Sequence, residues 1–582
     1  MSQKPFKPTD EQRAVIVHDS SAFVRACPGS GKTRVLTERA RGLFQDIPPG
    51  RGLAFLSFTK AAVFELDARL RQEGLLPTPV FPSFIGTFDS FVWQFLVAPF
   101  GHKNCDVRPR LIPDVFHLTV EPFSGAHPLP LYCFCPQTGV LVEQAAKLEG
   151  FDVIKKPEYQ VKAYETAATR LRETLRERGH LGFDEARAIA LERLSDPTLA
   201  ARITAALRGR FCEVIVDEAQ DCNPDDLKVI SCLRDAGLPV KVVCDPHQSI
   251  YEFRGGVTAH LFDFASTFST DQRKVLTGNF RSTPDICKAI AQLRTLSERG
   301  SPDDALGPVK DLPMPVQILS YAGKGVPDSI GTTFSGLLHE AGIDVFSAPI
   351  VAATKASGAA AAGQPRPAGA KHRAIRLAEA VTDFQFASGF SDMKSAIESA
   401  HRILLELEGQ LGSQSYHQYI ADNEIEPGSW RSRVVYILRA LCFDPATHGD
   451  PKGWHTAAKE LLARELAIED GQSVAQKLKW NAGLKAALAV VPTETAMSRT
   501  IHSVKGMEYP AVCVVTTTST LRGILDFLQT GEPADRAEDA RKLYVAASRA
   551  ERLLVFAAPK SQADRLKQHL SGQGARVTMK EI

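Results

Sequence analysis

Residues Ser21–Thr33 read SAFVRACPGSGKT. Ala22–Ala26 is a short, mostly apolar run of the kind a buried strand needs. A tight turn of small residues follows, and Arg34–Phe44 (RVLTERARGLF) has the make-up of a helix. A strand, a small-residue turn and a helix opened by Lys32 and Thr33 form a phosphate loop, with Ala26 in the place of the usual leading glycine. Backbone N–H groups of Cys27, Pro28's neighbours, Gly29, Ser30 and Gly31 can close around phosphate oxygens, and the helix adds its positive end. Lys32 is spaced to reach the β- and γ-phosphates, and the Thr33 hydroxyl to hold Mg²⁺. A chance GKT in a glycine-rich turn is the bland alternative, and the flanking strand and helix argue against it.

Outward from this loop, strands and helices alternate. Leu53–Phe58 reads as a strand, Lys60–Gln72 as a helix and Phe84–Thr87 as a third strand, which suggests an α/β fold with a parallel sheet. From 101 to 200 the composition changes. Pro and Cys are frequent up to Pro136, and helical patterns follow at Ala163–Gly179 and Phe183–Leu194. Strand patterns return at Glu213–Val216 and Val240–Cys244. A second α/β unit is expected from Lys274, with strands at Val316–Leu319 and Phe346–Val351. Ala352–Ala370 (AATKASGAAAAGQPRPAGA) reads as a loop or linker. Ile375–Leu488 reads as helical, and the chain ends on a strand at Ala511–Thr516, a helix at Ala537–Arg549 and a strand at Leu553–Phe556. The expected organisation is two discontinuous α/β units, 1–100 with 201–273 and 274–374 with 491–582. Each carries a mainly helical insertion, 101–200 in the first and a compact 375–490 in the second.

A phosphate loop hydrolyses nothing without an acid at a strand end to complete the Mg²⁺ shell. Val214-Ile215-Val216-Asp217-Glu218-Ala219-Gln220-Asp221 supplies one. Three β-branched residues make the strand. Asp217 suits the metal, and Glu218 suits a general base that orients the attacking water. Helix capping is the other reading of such a cluster, and for Asp221 both readings stay open.

Composition narrows the classes. With 582 residues, about four domains of roughly 150 residues each fit the chain, and no staple is needed to hold a core. The hydrophobic fraction of 44% and the charged fraction of 23% exclude wholesale disorder. A net charge of +2 excludes a histone-like polycation, although a local basic groove remains compatible with it. No apolar run approaches roughly 18 residues, and MSQKPFKPTDEQ at the start lacks the apolar stretch of a signal peptide. No membrane association is expected. The 11 cysteines are scattered, and the Cys133/Cys135 spacing fits neither a zinc knuckle nor a redox pair. Reduced thiols in the cytoplasm are the expected state.

Together with Asp245–Gly256 (DPHQSIYEFRGG), the phosphate loop and VDEAQD resemble the UvrD/Rep/PcrA-like helicases of superfamily 1. Further stretches resemble that family's motifs in order: Thr9–Gln12, Ser57–Ala62, Thr87–Phe91, Gly182–Glu185, Gly278–Thr283, Thr500–Tyr509 and Arg541–Ala550. Two departures stand out. The first DNA motif is one residue short, and Asp89 stands where the family commonly has His.

The resemblance implies two RecA-like P-loop cores with ATP and Mg²⁺ between them. Gln12 would read adenine, Phe280 would stack on it, Arg34 would flank it and Glu508 would hold the ribose. Gln248 would sense the γ-phosphate, and Arg281 and Arg549 would approach it from the second core. Phe58, Phe88 and Phe253 would stack on DNA bases, with core packing as their plainer alternative. Thr87, Arg254, Thr500 and His502 would hold the strand.

The expected function is an ATP-driven helicase or translocase on single-stranded or partly duplex DNA, moving 3′ to 5′. The compact second insertion motivates an alternative: a DNA-sensing ATPase subunit with little unwinding of its own. Such a subunit would serve a repair or anti-phage complex, as in Gabija systems, beside a nuclease or repair-protein partner. Composition and motifs leave the oligomeric state open. A pseudo-enzyme is disfavoured by the joint presence of Lys32, Asp217, Glu218, Gln248, Arg281 and Arg549.

Overall fold

The computed structural model describes residues 6–100, 107–113, 115–123, 125–136, 138–250, 258–323, 325–364, 372–385, 390–411, 416–423, 425–468, 471–488 and 496–582. The chain forms two compact units. The first comprises Met1–Phe88, Thr204–Pro367 and Ala489–Ile582, the second Asp89–Ile203 and Ala368–Leu488.

The first unit holds two six-stranded sheets. One contains β1 (Ala22–Ala26), β2 (Gly52–Ser57), β3 (Phe84–Thr87), β4 (Phe211–Val216), β5 (Val240–Cys244) and β6 (Arg273–Leu276). Its order is β6-β1-β5-β4-β2-β3, with every pairing parallel. All residues of β2 and β5 are buried, as strands of a parallel sheet covered on both faces must be. α1 (Asp10–Ile16) precedes β1, and α2 (Lys32–Asp46) and α3 (Lys60–Gln72) run between strands. Thr9 and Gln12 cap α1 reciprocally, and Thr59 caps α3.

The second sheet contains β7 (Val316–Tyr321), β8 (Ile350–Ala352), β9 (Ser498–Thr500), β10 (Tyr509–Val515), β11 (Ala550–Pro559) and β12 (Val577–Glu581). Its order is β9-β8-β10-β11-β7-β12, again all parallel. Alternate residues enter opposite cores. Val512 and Val514 pack in one cluster, Ala511, Cys513 and Val515 in the other. The period of two therefore buries both faces.

Two expectations are corrected. The strand at Arg273–Leu276 does not open a second α/β unit near Lys274. It lies at the edge of the first sheet, paired with Phe23–Ala26, because its backbone completes the open side of β1. The stretch from Ala352 is also not all linker. Lys355–Ala361 is a helix whose first turn is capped by the Thr354 hydroxyl, and its alanines are good helix formers. Residues 365–370 lie outside the described ones.

The second unit is mainly helical, with its long helices at Glu158–Glu177, Phe183–Ser195, Arg373–Gln385, Phe390–Glu408, Pro427–Leu441 and Pro451–Glu465. Trp454 is fully buried in one cluster, and its indole N–H donates to the Leu441 carbonyl at 2.6 Å. Arg172 stitches another, donating to the carbonyls of Cys135 and Phe134 at 2.8 Å each.

Candidate active site

β1, β5 and β4 are consecutive neighbours in the first sheet, so the turns that follow them lie side by side. The phosphate loop follows β1, Asp245–Gln248 follows β5, and Asp217-Glu218 follows β4. Placement at the C-terminal ends of parallel strands is where α/β sheets hold ligands.

The loop is shaped for an anion. Gly29 and Gly31 have φ of 69° and 75°, a region that disfavours side chains. A Cβ on Gly29 would lie 2.6 Å from Arg281 Cβ and 2.7 Å from Asn279 Oδ1, so only glycine fits. Gly31 caps α2 with no side chain over its first N–H groups, which leaves those donors for a ligand. Ser30 Oγ is buried without a partner. Cys27 and Pro28 are buried at the base of the turn. These features fit a nucleotide's phosphates. Gln12 donates from Nε2 to the Ser30 carbonyl at 3.0 Å and accepts the Thr9 N–H at 3.1 Å, so in this structure it braces the loop.

Lys32 Nζ lies 3.6 Å from Glu218 Oε1. Burial pulls the lysine's pKa down, but Glu218, Asp245 and Asp217 more than compensate and hold it above the usual lysine range. Glu218 has φ 57°, ψ 36° and is the one non-glycine residue in the left-handed region among the described residues. Such strain persists only where surroundings over-determine it. Here Gln220 Nε2 and Lys32 grip the carboxylate, and the Glu218 N–H donates to Asp217 Oδ1 at 2.9 Å. Burial pushes both carboxyls up. In Glu218 that push is outweighed by Lys32, Lys505 and Arg549, which hold it ionised. Asp217, facing the Glu218 charge, is left high. A buried acid that resists ionisation is relieved by a cation beside it, which suits a Mg²⁺ ligand. Thr33 opens α2 on the same side.

The second sheet contributes from the opposite ends of its strands. Glu508 and Arg549 immediately precede β10 and β11. Arg549 donates to Gln248 Oε1 at 2.5 Å, and Gln248 Nε2 donates to Asp245 Oδ2 at 2.8 Å. Phe280 N–H donates to the Gly29 carbonyl at 2.8 Å, which sets Phe280 and Arg281 against the loop. Arg281 is ion-paired with Glu508 and donates to the Ser548 carbonyl at 2.8 Å. Two residues with separate expected partners on the nucleotide are therefore partners of each other here. Arg34 pairs with Glu38 and Glu73, and its guanidinium lies 5.0 Å over the Phe6 ring.

Four residues at the site had no expected role. Asp245, 1% exposed, accepts from Gln248 and from the His247 N–H at 3.1 Å. Gln220 accepts the Asp245 N–H at 3.0 Å while donating to Glu218. Asn279 Oδ1 accepts from the N–H groups of Arg281 and Ser282. Lys505 is bound to both oxygens of Asp221 at 2.6 Å and to the Gln248 carbonyl at 3.0 Å. Asp221 thus pairs with a cation from the second sheet's flank. All four lie inside quoted motifs, Asn279 in Gly278–Thr283. Their pairings required the fold.

The expected DNA contacts fare unevenly. Phe88 is fully buried, and its ring stacks on Phe58 at 5.3 Å and 16°. Packing thus removes Phe88 from any base, and this expectation is corrected; Phe58 is half-buried. Thr87 ends β3, half-buried. The Thr500 hydroxyl accepts the Ser503 N–H at 3.3 Å. His502 is half-buried, and burial with nearby Lys542 pushes its imidazole below the usual range. Phe253 and Arg254 lie outside the described residues. Asp89, the departure from the family pattern, is ion-paired with Arg187, which also holds Asp184 at 3.0 Å, so its charge is neutralised.

Residues 8–116 and 133–269 match the UvrD/REP helicase N-terminal domain. Those segments, less than half of the chain, are similar to the N-terminal domain of UvrD-like helicases. YjcD of Bacillus subtilis is 28% identical over 306 residues, 48% of this chain and 37% of that protein. The ATP-dependent DNA helicase UvrD1 of Mycobacterium tuberculosis is 27% identical over 301 residues, 48% of this chain and 38% of the relative. DNA helicase II of Escherichia coli is 28% identical over 299 residues, 49% of this chain and 40% of the relative. The matches thus span about two fifths of the length of these relatives. Among the described residues, no helix is long and apolar enough to cross a membrane.

Proposed function

We propose that this UvrD-like protein is an ATP-driven motor on single-stranded DNA, a helicase or translocase moving 3′ to 5′. In this reading the two sheets are RecA-like cores, each interrupted by a helical insertion, and ATP is hydrolysed between them. The observation that carries it is the Arg549–Gln248 bond at 2.5 Å, which brings the flank of the second sheet to the Lys32–Glu218 site of the first.

The chemistry assigned to each residue follows from its surroundings. Lys32 and the open N–H groups of α2 neutralise phosphate charge. Thr33 and Asp217 would hold Mg²⁺, which supplies further neutralisation of the phosphates. Glu218, ionised and fixed by Gln220, accepts a proton from the attacking water. Arg549 turns from Gln248 to the γ-phosphate, and Arg281 leaves Glu508 to do the same, freeing Glu508 for the ribose. Phe280 stacks on adenine, with Gln12 and Arg34 at its edge. Release after hydrolysis reverses these exchanges, and DNA lying along Phe58, Thr87, Phe253, Arg254, Thr500 and His502 is moved.

The test is ATP turnover with and without single-stranded DNA, together with unwinding of duplexes carrying 3′ or 5′ overhangs. Stimulation by single strands, steep loss of binding with salt and unwinding from 3′ overhangs are expected. Turnover indifferent to every nucleic acid would overturn the motor. DNA-stimulated turnover without strand separation would favour a sensing ATPase that acts beside a nuclease or repair partner.

A further inference from the structure

Helix Pro451–Glu465 carries Lys452, His455, Thr456 and Lys459 at steps of three and four, on one face. The chain returns along that face at 478–480. His455 Nε2 donates to the Leu478 carbonyl at 2.8 Å, which pins Lys479 and Trp480 beside the helix. The Trp480 ring meets the His455 ring edge-on, with centroids 5.6 Å apart and an interplanar angle of 73°. The result is an open hollow of about 390 Å³ lined by Lys452, His455, Thr456, Lys459, Lys479 and Trp480. Lys452, Lys459 and Lys479 have no ion pair among the described residues. Trp480 keeps 37% exposure, on a side chain that ordinarily covers its apolar body.

Three uncompensated ammonium groups around one hollow repel one another, and a polyanion removes that repulsion with release of counterions. An exposed indole among them offers a stacking face, which an unpaired base can use and a paired base cannot. An acidic polypeptide would satisfy the lysines and leave the indole in water. We propose that this hollow is a second nucleic-acid contact, taking an unpaired DNA segment with its phosphates on Lys452, Lys459 and Lys479 and a base on Trp480. The inference rests on the reading of DNA as the partner and adds a site in the helical unit, on residues other than those assigned to the strand above.

The experiment uses the full chain, a labelled oligothymidylate carrying 5-iododeoxyuridine, a blunt duplex and polyglutamate. Photocross-linking should yield an adduct in the peptide containing Trp480. Trp480→Ala should abolish that adduct and weaken single-strand binding several-fold, whereas Trp480→Phe should retain both. Lys452→Glu with Lys459→Glu should lower the slope of log affinity against log salt by about 1.4, the worth of two phosphate contacts on a single strand. All variants should keep wild-type turnover in the absence of DNA, and Lys32→Ala should keep the adduct. If wild type bound no oligonucleotide at all, the function proposed above would fall with this one. If wild type bound but the adduct, affinity and salt slope ignored every substitution, this inference alone would be wrong. Equal weakening of duplex and single strand by Trp480→Ala would overturn the stacking, and polyglutamate binding as tight as DNA would reassign the hollow to an acidic protein.

Discussion

In the proposed reading, Glu218 concentrates the chemistry into one strained residue. Its left-handed backbone costs on the order of 1–3 kcal/mol, and the grips of Lys32 and Gln220 sustain it. Glu218→Gln keeps the shape and removes the proposed base. We expect ATP binding within a few-fold of wild type and turnover reduced about 10²–10⁴-fold, the usual worth of a general base. Filter binding and steady-state hydrolysis check this, and full activity would remove Glu218 from the role. Lys32→Ala should abolish turnover and leave the thermal transition nearly unchanged, because the lysine sits on a turn and not in the sheet.

At the level of the element, the first sheet carries a buried charge cluster on β4 and β5. Arg39 of α2 donates to Glu213 at 2.7 Å and 2.5 Å, and Lys241 lies 3.2 Å from the same carboxylate. Glu213→Ala strands two cations in the core and should cost about 3–5 kcal/mol. A loss under about 1 kcal/mol in urea unfolding would show that water reaches the cluster. Burial pushes the Lys241 ammonium down to about 8; Glu213 and Asp19 pull it back, and Arg39 adds to the push. In the unfolded chain a lysine keeps its proton to about 10.4. Between those values the unfolded state binds more protons, so stability rises with pH across that window. Lys241→Met should flatten the rise, and an unchanged profile would mean that other groups cause it.

At the level of the molecule, the two sheets share one set of side chains. Arg549 reaches Gln248, Arg541 donates to the Ser249 carbonyl at 2.7 Å, and Lys505 holds Asp221 and the Gln248 carbonyl. A guanidinium that forks onto phosphate oxygens is worth on the order of 10³–10⁵ in rate. Arg549→Ala and Arg281→Ala should each cut hydrolysis by orders of magnitude at saturating DNA, with ATP binding far less affected. Near-normal hydrolysis in both would detach the second sheet from the site. Lys505 and Asp221 are 3% and 2% exposed at their side chains, so removing either leaves a buried unpaired charge. Lys505→Met should destabilise by about 3–5 kcal/mol, and Lys505→Met with Asp221→Asn by clearly less. Additive losses in the double variant would show that the pair is not coupled.

Much was legible locally. The phosphate loop, Asp217-Glu218, α3 and β5 could be read because each depends on neighbours in sequence: small residues for the turn, β-branched runs for the strands, capping hydroxyls for the helices. The edge strand β6 could not, since Arg273–Leu276 looks alike whether it ends one sheet or opens the next, and only its pairing with β1 decides. Lys355–Ala361 looked like linker because alanine and glycine composition hides a helix whose cap is a single Thr354 hydroxyl. Phe88 could be base platform or core until Phe58 covered it. The amino-acid sequence alone determined which residues are candidates to bind phosphate, hold a metal and take a proton, because those abilities reside in the side chains and their immediate spacing. Only the tertiary structure decided that Arg281 rests on Glu508, Arg549 on Gln248 and Lys505 on Asp221. Those partners lie more than two hundred residues apart along the chain, and no local pattern encodes which distant charge a buried cation will find.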